Sequence, residues 1–356
     1  MIFFIFVLFF LLAEALVFGV RFALRKLNIK VWLRIIIAIV ELVLALLLAY
    51  LSMVTYMLMN LFFGPLAFAL YIALFMDAVA QILYLIVFAF IGNKKKTTVL
   101  TSISGILGTA FLVFGMINSQ IVSPKYISFS SEKLNNSYRF AFVSDMHVGK
   151  AQPLSASIKT VESIKAQNPD FTIIGGDLID EYTTREEMKE VVKAFSTFTS
   201  PVYFIRGNHD LNGQVSTKEL EDELIASGVH VVIDEFIPIG TDLTLLGRND
   251  LDSPIRKKID ELVNPYPSTF LLTADHQPFE FNAQAKAGID LQLSGHTHAG
   301  QLFPLKTLYQ ISVYSYGEYH YENATLNVSS GASSWQNPYR SEVGCQYEII
   351  TLNPSE

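Results

Sequence analysis

Pro201-Val202-Tyr203-Phe204-Ile205-Arg206-Gly207-Asn208-His209-Asp210 runs from an apolar stretch straight into a polar one. The first five residues read as a buried strand. An amide, an imidazole and a carboxylate follow in a row just beyond its end. In open α/β sheets that edge is where ligands bind. Gly207 allows a sharp turn there. Asn208 offers a neutral oxygen to a metal, and His209 can hold or release a proton near neutral pH. Asp210 can orient that imidazole. Alone, the run also reads as an ordinary polar turn.

The same pattern recurs on both sides of it. Arg139–Val143 reads as a strand ending at Ser144-Asp145-Met146-His147, and Phe171–Ile174 as one ending at Gly175-Gly176-Asp177. Helices are expected over 155–167, 184–197 (capped by Thr184) and 218–227. Such alternation predicts parallel strands with right-handed crossovers. Shorter strands are expected at 230–233, 243–246, 269–273 and 291–293, with a strand-rich tail to Leu352. Asp275-His276-Gln277-Pro278 follows the 269–273 strand, and Ser294-Gly295-His296-Thr297-His298 follows 291–293.

Five of the seven histidines fall in these loops. His230 and His320 do not, and are expected to be structural or surface residues. Asp145 and His147 lie two apart, as do His296 and His298, so in extended backbone each pair points one way. Asp177, Asn208 and His276 complete a set of oxygen and nitrogen donors without thiolate, suited to Mn, Fe or Zn. Seven donors are too many for one tetrahedral ion. They suit two divalent ions roughly 3.5–4 Å apart, which would clamp attacking and leaving oxygens.

Asp145-x-His147, Gly176-Asp177, Gly207-Asn208-His209-Asp210, His276 and Gly295-His296-x-His298 together resemble the ordered motif set of the calcineurin-like metallophosphoesterases. The resemblance covers about residues 138–352. Gly295-His296-Thr297-His298-Ala299-Gly300-Gln301, with Pro304 beyond, resembles the bacterial membrane-associated phosphodiesterase branch, where a Gly is usual in place of Ala299. The resemblance implies that Asp145, His147 and His298 hold one ion, that Asn208, His276 and His296 hold the other, and that Asp177 bridges them. It implies His209 as general acid or transition-state stabiliser, with Asp210 or another carboxylate as its orienter. It also implies an α/β fold of two mixed β-sheets packed as a sandwich flanked by helices. Arg206 and Arg248 are candidate phosphate contacts. Trp335 and Tyr339 are candidates for lining the substrate cleft or for the core.

The rest of the chain is of a different kind. The 356 residues are 51% hydrophobic, and the mean hydropathy of +0.35 is high for an ordinary soluble protein. Residues 1–120 carry eight Lys/Arg and three Asp/Glu, a net of +5; the remainder carries 18 and 30, a net of −12. That acidic part suits cation binding and not nucleic acid. Four apolar stretches, about 2–23, 31–57, 61–91 and 99–117, are near or above the ~20 residues of a transmembrane helix. The expected organisation is a four-helix transmembrane domain over 1–120, a linker with a lead-in strand over 121–137, and the phosphoesterase domain over 138–356. Met1 leads directly into the first span, which reads as an anchor and not as a cleaved signal. Basic residues around 21–34 and at Lys94, Lys95 and Lys96 place those connections in the cytoplasm, and hence the catalytic domain on the extracytoplasmic side of the cell membrane. Glu14, Glu41 and Asp77 lie inside the spans, where ionisable groups are costly. A helix interface, or pairing of Glu14 and Glu41 with a neighbouring Arg, is expected ahead of a functional role. Asn135, Asn323 and Asn327 begin N-x-S/T patterns, which matter only in a glycosylating pathway. Cys345, the only cysteine, excludes an intrachain disulfide and a thiolate zinc site, and reads as a buried apolar residue.

The function expected is a membrane-anchored binuclear hydrolase of a phosphoester (diester, monoester or pyrophosphate), on a lipid-linked or envelope substrate. The alternative is a membrane sensor or scaffold with a non-catalytic phosphoesterase domain.

Overall fold

The computed structural model describes residue 13 and residues 31–58, 70–79, 81, 97–149, 152–311, 313–335 and 338–355. The chain divides into two compact units, Met1–Gly115 and Met116–Glu356.

Helix α1 spans Val31–Leu58, and α2 spans Thr97–Asn118. Residues 70–79 are helical as well. No helix among the described residues is long and apolar enough to cross a membrane. The expected four-span bundle is therefore not supported. Glu14 and most of the first and third apolar stretches lie outside the described residues. Glu41 and Asp77 are joined through Gln81, whose Nε2 donates to Glu41 and, at 3.1 Å, to Asp77. That pairing fits the expected helix-interface role.

The second unit is a sandwich of two mixed six-stranded sheets. The first has the order β1-β12-β2-β3-β4-β5, and the second β10-β11-β9-β8-β7-β6. In the first, β1 is Val122–Ser131, β2 Tyr138–Val143, β3 Thr172–Gly175, β4 Val202–Ile205, β5 His230–Val231 and β12 Cys345–Pro354. Strands β2 to β5 are parallel. Helices α3 (Leu154–Ala166), α4 (Arg185–Phe195) and α5 (Thr217–Ala226) provide their crossovers. Thr184 caps α4 in a reciprocal capping box with Glu187, which satisfies two otherwise orphaned N–H groups. In the second sheet, β7 (Leu243–Gly247), β8 (Phe270–Ala274), β9 (Leu291–Ser294) and β11 (Ala324–Val328) are parallel. The edge strands β6 (Glu235–Pro238) and β10 (Gly317–Tyr321) run antiparallel. Much of the stretch expected as a linker is thus strand: β1 pairs in parallel with β12, which runs antiparallel to β2.

Period-two alternation sorts the strand residues between two cores. Phe140 and Phe142 face the space between the sheets, with Ile173, Tyr203, Leu245, Leu272 and Leu293. Ala141 and Val143 face the other way, toward Val161, Val192 and Leu220 of the helices. Each fully buried Phe contributes roughly 1.5–3 kcal/mol. A smaller core around Leu246, Leu271, Phe281 and Leu326 covers the outer face of the second sheet. The central strands are therefore held on both faces, and their carboxyl ends, where the polar loops begin, are fixed.

Candidate metal centre

All seven expected ligands come together at those strand ends. Asp145 and His147 follow β2, Asp177 follows β3, Asn208 follows β4, His276 follows β8, and His296 and His298 follow β9. Two groups form, Asp145 with His147 and His298, and Asp177 with His276 and His296; ligand atoms within each group lie within 4.8 Å of one another. The Nε2 atoms of His147 and His298 are 3.2 Å apart. Asp145 Oδ1 is 3.5 Å from His298 Nε2. Asp177 Oδ2 lies 3.1 Å from His276 Nε2 and 3.6 Å from His147 Nε2. It thus touches both groups, as a bridging carboxylate must. Asn208 Oδ1 is 2.9 Å from His296 Nδ1.

The loops are stitched across the two sheets. The Asp145 carboxylate accepts the His296 N–H at 2.9 Å, and Asp177 Oδ1 accepts the His209 N–H at 2.8 Å. The N–H groups of Met146 and His147 donate to the Asp177 carbonyl at 2.8 and 3.1 Å. Asp145, His147, Asp177, His296 and His298 all have left-handed backbone, with φ between 40° and 71°. Such conformations cost of order 1–3 kcal/mol each and persist only where surrounding structure over-determines them. Gly207 has a role its sequence context does not reveal. A Cβ there would lie 2.2 Å from Asp177 Oδ1 and 2.4 Å from the Asp177 nitrogen. It is therefore glycine because the Asp177 loop fills that space.

The donor set fits divalent cations. Burial pushes His147 down to about 3 and His296 to about 4, the latter helped by the His276 charge. Burial and then the Arg340 charge hold His298 well below its usual value. These imidazoles are neutral donors, and the Nε2 atoms of His147 and His298 face one another, an arrangement that a shared cation relieves. His276 Nδ1 donates to the Gly175 carbonyl at 2.9 Å, which leaves Nε2 for a ligand. That atom is buried and faces Asp177 Oδ2 at 3.1 Å. Burial opposes charge on Asp177, but His276 and the neighbouring imidazoles hold it well below the carboxylate range. Burial likewise opposes charge on His276, and Asp177 outweighs it and raises the group well above the usual value. The Asp177–His276 edge is one that seeks a cation.

His209 stands apart from the ligands, its ring 5.0 Å edge-on from His147 and 5.9 Å from Trp335. Its partner is Glu181, with Oε2 2.9 Å from His209 Nδ1, a residue the sequence did not single out. Burial lowers His209, but the Glu181 hydrogen bond and the Asp177 and Glu181 charges outweigh it and raise it to about 9. The expected orienter, Asp210, is used elsewhere. Its oxygens accept the N–H groups of Asp177 (2.8 Å), Gly207 (2.9 Å) and Ile179 (3.2 Å). It braces the backbone of two loops and does not bond the His209 ring. Burial and the Asp177 charge push it up to about 7.

The two arginines are also committed. Arg206 Nε bonds Glu221 at 2.5 Å, and its Nη1 lies 3.3 Å from Asn249 Oδ1. Arg248 is fully buried, paired with Asp234 at 2.5 Å and bonded to the Lys257 carbonyl at 2.8 Å. Arg248 is structural, which corrects its expected phosphate role; the bonds of Arg206 use Nε and Nη1 and leave Nη2 out of both. Tyr339 is a core residue, and Cys345 is buried with its thiol pushed up by that burial. His230 and His320 are exposed.

A two-sheet sandwich with two groups of metal donors at its strand ends defines a metal-dependent phosphoester hydrolase. Residues 138–300 match the family model of the calcineurin-like phosphoesterases. Members of that family use two divalent ions. An uncharacterised metallophosphoesterase of Campylobacter jejuni is 29% identical over 323 residues, covering 85% of this chain and 83% of its own. One from Helicobacter pylori is 29% identical over 236 residues, 63% of this chain and 62% of its own. A Bos taurus protein described as a transmembrane protein with metallophosphoesterase domain is 29% identical over 246 residues, 61% of this chain and 53% of its own. The chain thus spans less than two thirds of the last two.

Proposed function

We propose a membrane-anchored two-metal phosphohydrolase acting on a phosphoester of a lipid-linked or envelope molecule. The observation that carries the catalytic part is the position of Asp177 between two complete donor groups, with a charged His209 beside them. Asp145, His147 and His298 would hold one divalent ion and Asn208, His276 and His296 the second, with Asp177 placed between the two groups. Bound there, the ions supply an acidified water and neutralise phosphoryl charge. The chain does the rest. Glu181 holds Nδ1–H of the His209 imidazolium, so the Nε2 proton is the one released to the departing oxygen. The His209 backbone N–H fixes Asp177 Oδ1, so acid and bridging carboxylate keep their spacing. The Trp335 ring lies 5.9 Å from that of His209.

Membrane anchoring is supported by the outward aliphatic surface of α1 and α2. Trp32, Ile35, Ile39, Val40, Val43 and Leu47, and Ile106, Val113, Phe114 and Ile117, are all exposed. Lipid would cover them. The relatives named as transmembrane proteins from Bos taurus and Danio rerio fit this reading. The charge bias of the basic connections favours a catalytic domain outside the cytoplasm, and an alkaline-phosphatase fusion at Glu356 that reports the cytoplasm would sink that placement. The complete donor set argues against a non-catalytic scaffold.

The catalytic test is manganese-dependent hydrolysis of p-nitrophenyl phosphate and bis-p-nitrophenyl phosphate, before and after EDTA. Turnover should require metal and vanish in Asp177→Ala. Full activity in that variant, or none with metal on any phosphoester, refutes the reading. Phosphorus NMR of products from a panel of envelope phospholipids then identifies the bond cleaved.

A further inference from the structure

Arg340 is fully buried, and no carboxylate among the described residues pairs with it. A buried guanidinium without an acid is unusual. Its N–H groups go instead to the loop that carries His298. Nη1 donates to the His298 carbonyl at 3.1 Å, and Nη2 donates to the Ser333 carbonyl. Nη2 also sits 3.0 Å from His298 Nδ1. Ser333 O is itself 3.1 Å from that Nδ1. A proton on Nδ1 therefore faces Ser333, and the Nε2 lone pair faces Asp145 and His147. Charge alone does not explain Arg340, because a cation behind a ligand opposes binding of another cation. Its planar fork does: it reaches the main-chain carbonyls of His298 and Ser333 at once, on the Nδ1 side of the ring.

Arg340 is held in turn from the start of the second unit. Asn118 Nδ2, at the end of α2, donates to the Arg340 carbonyl at 3.0 Å. A Cβ at Gly344 would come within 3.0 Å of Asn118 Oδ1, and the Cys345 thiol donates to the Ser119 carbonyl at 3.4 Å. Residues 340–345 are thus seated on 118–119.

We propose that Arg340 is the positioning residue of the Asp145–His147–His298 group, and that Asn118 ties it to the end of α2, so that the helix end and this group are mechanically one. This rests on the two-metal reading. The supporting residues behind a metal-binding histidine typically change affinity 10–100-fold when removed. Manganese titration of the metal-stripped full chain, followed by EPR, counts ions and reports exchange coupling between a pair. The wild type should bind two ions with a coupled spectrum. Arg340→Met should keep one ion at wild-type affinity and weaken the other about ten-fold or more, with the coupled signal lost at limiting manganese. Arg340→Lys, which keeps the charge without the fork, should restore little. Asn118→Ala should weaken the same ion about three-fold. Equal weakening of both ions, two wild-type affinities in Arg340→Met, or full rescue by lysine overturns the proposal. If Arg340→Met does not fold, Asn118→Ala decides, and wild-type affinities there overturn the tie to the helix. A wild-type chain that binds no manganese pair overturns the two-metal reading itself, before any variant is compared.

Discussion

Replacing Glu181 by Gln removes one charge from His209 while keeping the side-chain shape. In the wild type His209 rises from 6.5 to about 9 against the pull of burial, which corresponds to roughly 3 kcal/mol in favour of the imidazolium. Glu181 shares that effect with Asp177, and its side chain is 34% exposed, so screening by solvent reduces its part. About one pH unit, or ~1.4 kcal/mol, is a fair share for Glu181. Bound dications lower His209 in wild type and variant alike, so the difference between them is what is predicted. A general acid works only while protonated, and activity falls as pH rises through its pKa. The variant should therefore lose activity at a pH about one unit lower than the wild type. The assay is kcat/KM against pH for p-nitrophenyl phosphate and for an alkyl phosphate, with metal content measured alongside. The alkyl ester, whose leaving group needs the proton, should slow about ten-fold near neutral pH, and the nitrophenyl ester far less. An alkaline limb that stays in place while both ions are retained would refute the role of Glu181.

Three further substitutions probe the same loops. His209→Ala should lower kcat by about 10²–10⁴ on poor leaving groups with metal content near wild type; loss of metal instead would make His209 a ligand. Gly207→Ala forces a Cβ to 2.2 Å from Asp177 Oδ1, and should lower both metal binding and stability, the latter by about 1–3 kcal/mol in urea denaturation. Asp210→Asn turns an NH₂ toward one of the N–H donors that Asp210 accepts, and should cost about 1–3 kcal/mol in the same assay. Unchanged stability there would mean Asp210 is not the brace described.

The strands were legible because they are short apolar runs that end in polar loops; their packing as a two-sheet sandwich was implied by the family resemblance. The donors were legible for the same reason, since each follows a strand that has to be buried. What sequence could not supply was which loop meets which. Glu181 and Asp180 stand side by side after Asp177, and nothing in their spacing selects one. The structure uses Asp180 to accept Tyr182 N–H at 2.8 Å within its own turn, which leaves Glu181 for His209. Asp210 adjoins His209 in sequence yet turns back to the backbone of another strand end. Arg206 and Arg248 look available until Glu221 and Asp234, from separate elements, are placed beside them. Arg340 carries no motif, because its importance comes from a carbonyl and a ring far away in the chain. The apolar stretches of the first unit were plain as composition, but composition alone does not establish a crossing.

Among the described residues strand β1 has one neighbour in its sheet, β12, which lies more than 200 residues on in the sequence. Val122 faces Cys345, and Ser131 faces Pro354. During synthesis β1 emerges early and must wait, unpaired, while every metal-binding loop is made and can begin to pack. Its pairing is as non-local as this domain allows, and such contacts form late. The final ten-residue strand is thus what closes the sheet. Since the Arg340 segment leads directly into it, a chain shortened near its C-terminus would lose the edge strand and the support behind His298 in one stroke.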